Sequence, residues 1–213
     1  MAAPYRRMDS GAIGSLAAGY PLQIFDPHDP RLMETVRYLL DHCTIEHGFF
    51  HDMTHSGINP YLTLHIAQVL LRAGDQRYFD LINSIAQLAT STGQWPEAIH
   101  PRTKGGCMGD GQHVWAAAEW ALMMRNCFVR EERNRLILCS GIPRQWLDQE
   151  AEISFGPAPT NFGTINLSIK PNLSHPLVEW SAKWFDAEPD IEISLPGFQS
   201  VKAQKGSNRV QLD

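Results

Sequence analysis

The stretch Gln94–Trp120, QWPEAIHPRTKGGCMGDGQHVWAAAEW, changes character twice. It opens on Trp95-Pro96-Glu97, passes His100, Arg102 and a glycine-rich turn with Asp110 and His113, and enters an alanine-rich run carrying Trp115, Glu119 and Trp120. Proline and glycine punctuate a chain, whereas alanine is the strongest helix former. The stretch therefore predicts a loop dense in polar and aromatic groups that leads into a helix from about Gln112 to Cys127. Whatever precedes it must then be read as helical or extended, and the apolar spacing decides.

Working towards the N-terminus, Leu32, Met33, Val36, Leu39, Leu40 and Cys43 fall on one face of a helix over Pro30–Cys43, with Pro30 suited to its first turn. A second helix runs from about Pro60 to Ala73 and stops at Gly74. A third, QRYFDLINSIAQLAT, turns Phe79, Ile82, Ile85, Leu88 and Ala89 inward. SGAIGSLAAGYPL reads as one more helix, weakened by its glycines. The connection RAGDQ is short and plain. HCTIEHGFFHDMTHSGINP and TSTGQWPEAIHPRTKGGCMGDGQ are long and rich in His, acids and aromatics. Antiparallel successive helices would open both long loops at the same end.

After Pro143 the pattern changes. AEISFGPAP, GTINLSIKP, LVEWSAKWF and DIEISLPGF alternate apolar and polar residues between Pro, Gly and Asn, as strands do. The polar tail SVKAQKGSNRVQLD is a last strand or a frayed end. The expected organisation is a mainly α fold: helical hairpins over residues 1–145 and a small β-rich region over 146–213.

A chain of 213 residues with 43% hydrophobic and 19% charged residues is globular in composition. A net charge of -5 offers no general attraction to nucleic acid or anionic membranes. No apolar run reaches the ~20 residues of a membrane span, and MAAPYRRMDSG lacks the apolar core of a signal peptide. Cys43, Cys107, Cys127 and Cys139 are widely spaced and read as reduced thiols, so the expectation is a cytoplasmic protein.

Helical hairpins with decorated loops and a β appendage resemble the six-hairpin glycosidases, the glucoamylase-like glycoside hydrolases with an (α/α)6 toroid. The sharpest similarity is QWPEAIHPRTKGGCMGDGQHVWAAAEW, which looks like the loop carrying a catalytic carboxylate before the last toroid helix. By that resemblance Glu97 takes the place of the general base. PYRRMDSGAIGSL looks like a toroid loop lining the sugar site, which implicates Arg6, Arg7 and Asp9. The helices are too few for six hairpins, so the resemblance covers the C-terminal half of an incomplete toroid. It implies hydrolysis of a glycosidic bond or, in the alternative, a non-catalytic carbohydrate-binding or helical interaction module. It also implies a homodimer, or a partner chain completing the toroid and burying apolar helix edges.

Glycoside hydrolysis needs one carboxyl to protonate the leaving oxygen and another to activate water or attack carbon. Glu97 follows Trp95-Pro96, an apolar and conformationally restricted setting that suits proton transfer. Asp52, on the other decorated loop, is the facing acid or a ligand for a sugar hydroxyl. Asp110 reads most simply as an N-cap. Trp95, in a loop, is a candidate stacking platform, while Trp115 and Trp120 at helical positions read as core. His55, His100, Arg102 and His113 are candidate hydrogen-bond partners for sugar hydroxyls. His47, His51 and His55 recur every four residues but carry no metal-site pattern. TKGGCMGDGQ lacks the ending of a phosphate loop, and no cofactor is implied.

Overall fold

The computed structural model describes residues 9–52, 56–109 and 111–213, with Asp9 and Ser10 described by backbone alone. The chain divides into two compact units, Met1–Met123 and Met124–Asp213.

In the first unit the helices are α1 (Asp9–Ser15), α2 (Pro30–His42), α3 (Pro60–Arg72), α4 (Tyr78–Gln87) and α5 (Val114–Phe128), the last of which runs on into the second unit. Two of them start alike: a side-chain oxygen caps the first free N–H groups and proline occupies the first turn. Asp29 accepts from the Arg31 N–H at α2, and Asn59 accepts from the Leu62 N–H at α3. α3 is buried on every side from Thr63 to Arg72 and forms the centre of the unit. Gly74, at φ 67°, ends it in the left-handed region that glycine adopts without strain. α4 then returns against α3 with Leu81, Ile82 and Ile85 buried.

The two long loops are not irregular. They form an antiparallel five-stranded sheet in the order β1 (Thr44–Ile45), β2 (Gly48–His51), β3 (Gly57–Ile58), β4 (Ala98–Ile99) and β5 (Gly106–Met108). One row across it is Phe50, Ile58, Ile99 and Gly106. The loops are thereby joined by backbone hydrogen bonds, and Gly57 shows how closely. A Cβ there would lie 2.9 Å or less from the Ile99 backbone and the Cys107 sulfur. The Cys107 thiol donates to the Ser56 carbonyl at 3.2 Å.

The second unit contains β6 (Val129–Glu132), β7 (Arg135–Leu138), β8 (Ile153–Thr160), β9 (Gly163–Lys170), β10 (Leu177–Trp184), β11 (Asp190–Ile193), β12 (Val201–Lys202) and β13 (Arg209–Gln211). They make two four-stranded sheets, β12-β11-β7-β6 and β13-β10-β9-β8, and only the β7–β11 pair is parallel. Period-two alternation gives each sheet one apolar face. Leu136, Leu138, Ile191 and Ile193 from the first sheet share one core with Ile165, Leu167, Val178 and Trp180 from the second. Phe128 and Phe155 stack within this unit, with centroids 4.6 Å apart.

The mainly α class, with its incomplete toroid, is overturned. Among the described residues five α-helices stand beside thirteen strands in three sheets, so the fold is mixed α/β. The physical reason is length. β1–β5 run two to four residues each and exist through pairing between distant loops, so no alternation marks them. All four cysteines are free thiols. No helix among the described residues is long and apolar enough to cross a membrane.

Candidate functional site

The short ladder of the first unit sorts the polar residues. β3 is antiparallel to both β2 and β4, so β2 and β4 run in the same direction with Phe50 level with Ile99. Glu97 precedes β4, and β3 leads through Asn59 into α3. Glu97 thus lies at the end of the ladder where α3 begins. The glycine turn closes on it, for a Cβ on Gly109 would come 3.2 Å from the Glu97 nitrogen. The start of α5 is fixed at that same end, because the His113 N–H donates to the Trp95 carbonyl at 2.8 Å.

Three aromatic groups gather there. Trp115 is 65% exposed, an unusual state for a tryptophan on a helix. Its ring centroid lies 5.7 Å from half-buried Tyr61 and 5.8 Å from His113. The His113 Nδ1 atom is buried and has no hydrogen-bond partner among the described residues, a costly condition that a ligand or water would relieve. Behind Tyr61, His65 donates from Nε2 to the Tyr20 carbonyl, and burial lowers its pKa and keeps the ring neutral.

The remaining candidates are placed differently. Asp52 follows β2 and so lies at the far end of the ladder, where its carboxylate accepts from the Ser56 hydroxyl at 2.9 Å. The register sets Asp52 and Glu97 four residue steps apart, roughly 13 Å along the strands, and roughly 10 Å apart across two strand spacings. His100 is exposed, and its Nδ1 accepts from the N–H groups of Arg102 and Thr103, which shapes the β4–β5 turn. Arg102 is exposed on that turn. Trp95 is 3% exposed. Its indole N–H donates to the Ile85 carbonyl at 2.8 Å and its ring packs on Trp120. Stacking surface is therefore offered by Trp115 and Tyr61. Arg6, Arg7, His55 and Asp110 lie outside the described residues, as does the side chain of Asp9. No group of three or more His, Cys, Asp or Glu side chains that could hold a metal ion occurs among the described residues.

Sequence reasoning passed over a buried carboxyl one turn along α5. Glu119 is 7% exposed and accepts from the Gln68 amide at 2.9 Å, bridging α5 to α3. The signal was a single acid inside AAAEWAL. Burial pushes its pKa up to about 7 from an ordinary 4.5, against the smaller opposing effect of the Gln68 hydrogen bond. Below the unfolded value the carboxyl is neutral in both states and imposes no penalty. As pH rises through about 7 the native state must carry a buried charge, and on the order of 3 kcal/mol of stability is lost. Glu119→Gln retains a partner for Gln68 and has no proton to release. Urea denaturation should find the variant close to the parent near pH 4.5 and more stable at pH 8.5 by up to ~3 kcal/mol. An equal difference at both pH values would refute the burial of an ionisable group as its cause.

No protein-family model and no curated protein matches this chain. Among solved structures it is similar to chains named "Glycosidase Wild Type" and single-substitution variants of that protein. For the first three the match is 18% identical, has a TM-score of 0.40 and covers 53% of this chain and 33% of the other. A fourth matches at 18% identity and a TM-score of 0.39, covering 51% and 32%. The matched region is thus about a third of those chains.

Proposed function

We propose that this chain is a glycoside hydrolase-like protein that seats a sugar ring against Trp115 and Tyr61, with Glu97 as the general base. The observation that carries this reading is the shared end of the ladder, which holds Glu97 together with an exposed tryptophan and a half-buried tyrosine. A flat ring takes the apolar face of a pyranose, while nearby polar atoms fix its hydroxyls. The unpartnered His113 nitrogen is one such atom, and Glu97 supplies a carboxylate able to take a proton from water. Asp52, with His100 and Arg102 at the far end of the ladder, suits hydroxyl contacts further along an extended ligand. Its separation exceeds the roughly 6.5–9.5 Å of an inverting pair.

Calorimetric titration of the full chain with neutral oligosaccharides tests the seat. Trp115→Ala should weaken the best ligand about tenfold, or ~1.4 kcal/mol. Unchanged affinity in that variant would remove Trp115 from the site.

One observation favours a second reading, an interaction surface. The outward residues of α5 in the first unit are Val114, Trp115, Ala117, Ala118, Ala121 and Leu122, all apolar and all exposed. The alanines would let a second copy's helix approach closely in a symmetric pair. On this reading the protein sediments as a dimer and Ala118→Glu makes it a monomer. A monomeric parent at micromolar concentration refutes it.

A further inference from the structure

The outward face of the β13-β10-β9-β8 sheet contains a cavity of about 460 Å³. Register determines what lines it. Ser154, Ser168 and Glu179 form one row across β8, β9 and β10, and Asn166 and Ser181 form the next. These residues alternate with Leu167 and Trp180, which turn into the core, so they share the opposite face.

Exposed sheet faces are commonly polar, but this one is also hollowed. The β8–β9 register shifts between Phe155 and Ala158, leaving Gly156 in a bulge at φ 138°. A Cβ at Gly156 would fall 2.8 Å from Asn166 Oδ1 and 2.9 Å from Asn166 Cα. No side chain fits there, and the amide of Asn166 is left uncovered. That amide and the hydroxyls of Ser154, Ser168 and Ser181 make no hydrogen bond with the described residues. Glu179 is paired with Lys170 at 2.6 Å.

The lining selects a class of ligand. Serine and asparagine both donate and accept, as sugar hydroxyls do. The one carboxylate lining the cavity is already paired with Lys170, so a metal cation finds no unpaired carboxylate there, and phosphate, which Arg209 beside Glu179 would attract, is the charged competitor to be tested. The volume lies in the range of small-molecule sites, roughly 300–1,000 Å³. We propose that this face of the second unit is a binding site for a neutral polyhydroxylated ligand, a mono- to trisaccharide or a polyol of that size. It does not rest on the chemistry assigned to Glu97.

The test is amide chemical-shift mapping of the isotope-labelled full chain. Maltotriose, cellotriose and xylotriose serve as probes, with inorganic phosphate as the charged comparison. At least one trisaccharide should produce saturable shifts at Ser154, Asn166, Ser168 and Ser181. Ser168→Val and Asn166→Leu, at outward strand positions, should each weaken them at least tenfold with the thermal midpoint unchanged. Trp115→Ala should leave them intact, which separates this site from the one at α5. Three results would each overturn the proposal: no saturable shift on this face up to about 10 mM of any of the trisaccharides; shifts from phosphate alone; or full retention of the sugar shifts in both sheet variants.

Discussion

Glu97→Gln should lower turnover of any glycoside the chain hydrolyses by on the order of 10³-fold, within the range expected for loss of a positioned general base. The substitution keeps the shape of the side chain and removes only its ability to accept a proton. The KM should therefore change little, and the loss should appear in kcat. The ladder pairs through Ala98 and Ile99, and the glycine turn approaches Glu97 at its nitrogen and Cβ, so neither depends on the charge. The measurement is product release from a panel of aryl glycosides and oligosaccharides, parent and variant in parallel. Asp52→Asn is the internal comparison. Its place at the other end of β2–β4 predicts a change of less than about tenfold, mostly in KM, if it holds a distal hydroxyl. Equal losses in the two variants would overturn the assignment of Glu97 and Asp52 to different roles. Turnover that survives Glu97→Gln would remove Glu97 as the base. A parent without turnover on the whole panel would leave binding without hydrolysis.

What the sequence disclosed follows from how locally each feature is specified. α2 and α3 were legible because proline, caps and a helical apolar stripe all lie within the element itself. The strands from Ile153 to Ile193 were legible because their alternation persists over four to eight residues. β6 and β7 were hidden, since VREERNRLIL follows a helix directly and carries charge on both sides of its turn, where Arg133 adopts φ 54°. Antiparallel helices would open the two decorated loops at one end, but their joining by β3–β4 pairing is not marked in the sequence. Which residues then share an end depends on register, a long-range property. The tryptophans show the same limit. Trp95, a loop residue, is buried because its indole satisfies the Ile85 carbonyl near the end of α4. Trp115, in the first turn of α5, faces outward.

Arg130→Met should destabilise the second unit by about 3–5 kcal/mol, and adding Glu132→Leu should recover most of that loss. Arg130 and Glu132 lie two residues apart on β6, so their side chains leave the same face, and they pair at 2.8 Å with only 11% and 6% of each side chain exposed. The Arg130 Nε also donates to the Ser140 hydroxyl at 3.1 Å. Removing the guanidinium alone takes from a buried carboxylate the charge partner that lies 2.8 Å away, and the loss of that pairing at a dry position dominates the effect. Removing both charges deletes the attraction and the desolvation penalty together, and two apolar side chains at these buried positions, on the face of β6 opposite Val129, lose little by being buried. The double variant should thus stand within about 2 kcal/mol of the parent, and a double-mutant cycle from urea denaturation at pH 7 measures the coupling directly. If the two single losses simply add, the pair contributes no coupling and the burial of Glu132 is tolerated for another reason. If the single variant loses less than about 1 kcal/mol, the face of β6 that carries the pair is wetter than its 6% exposure implies.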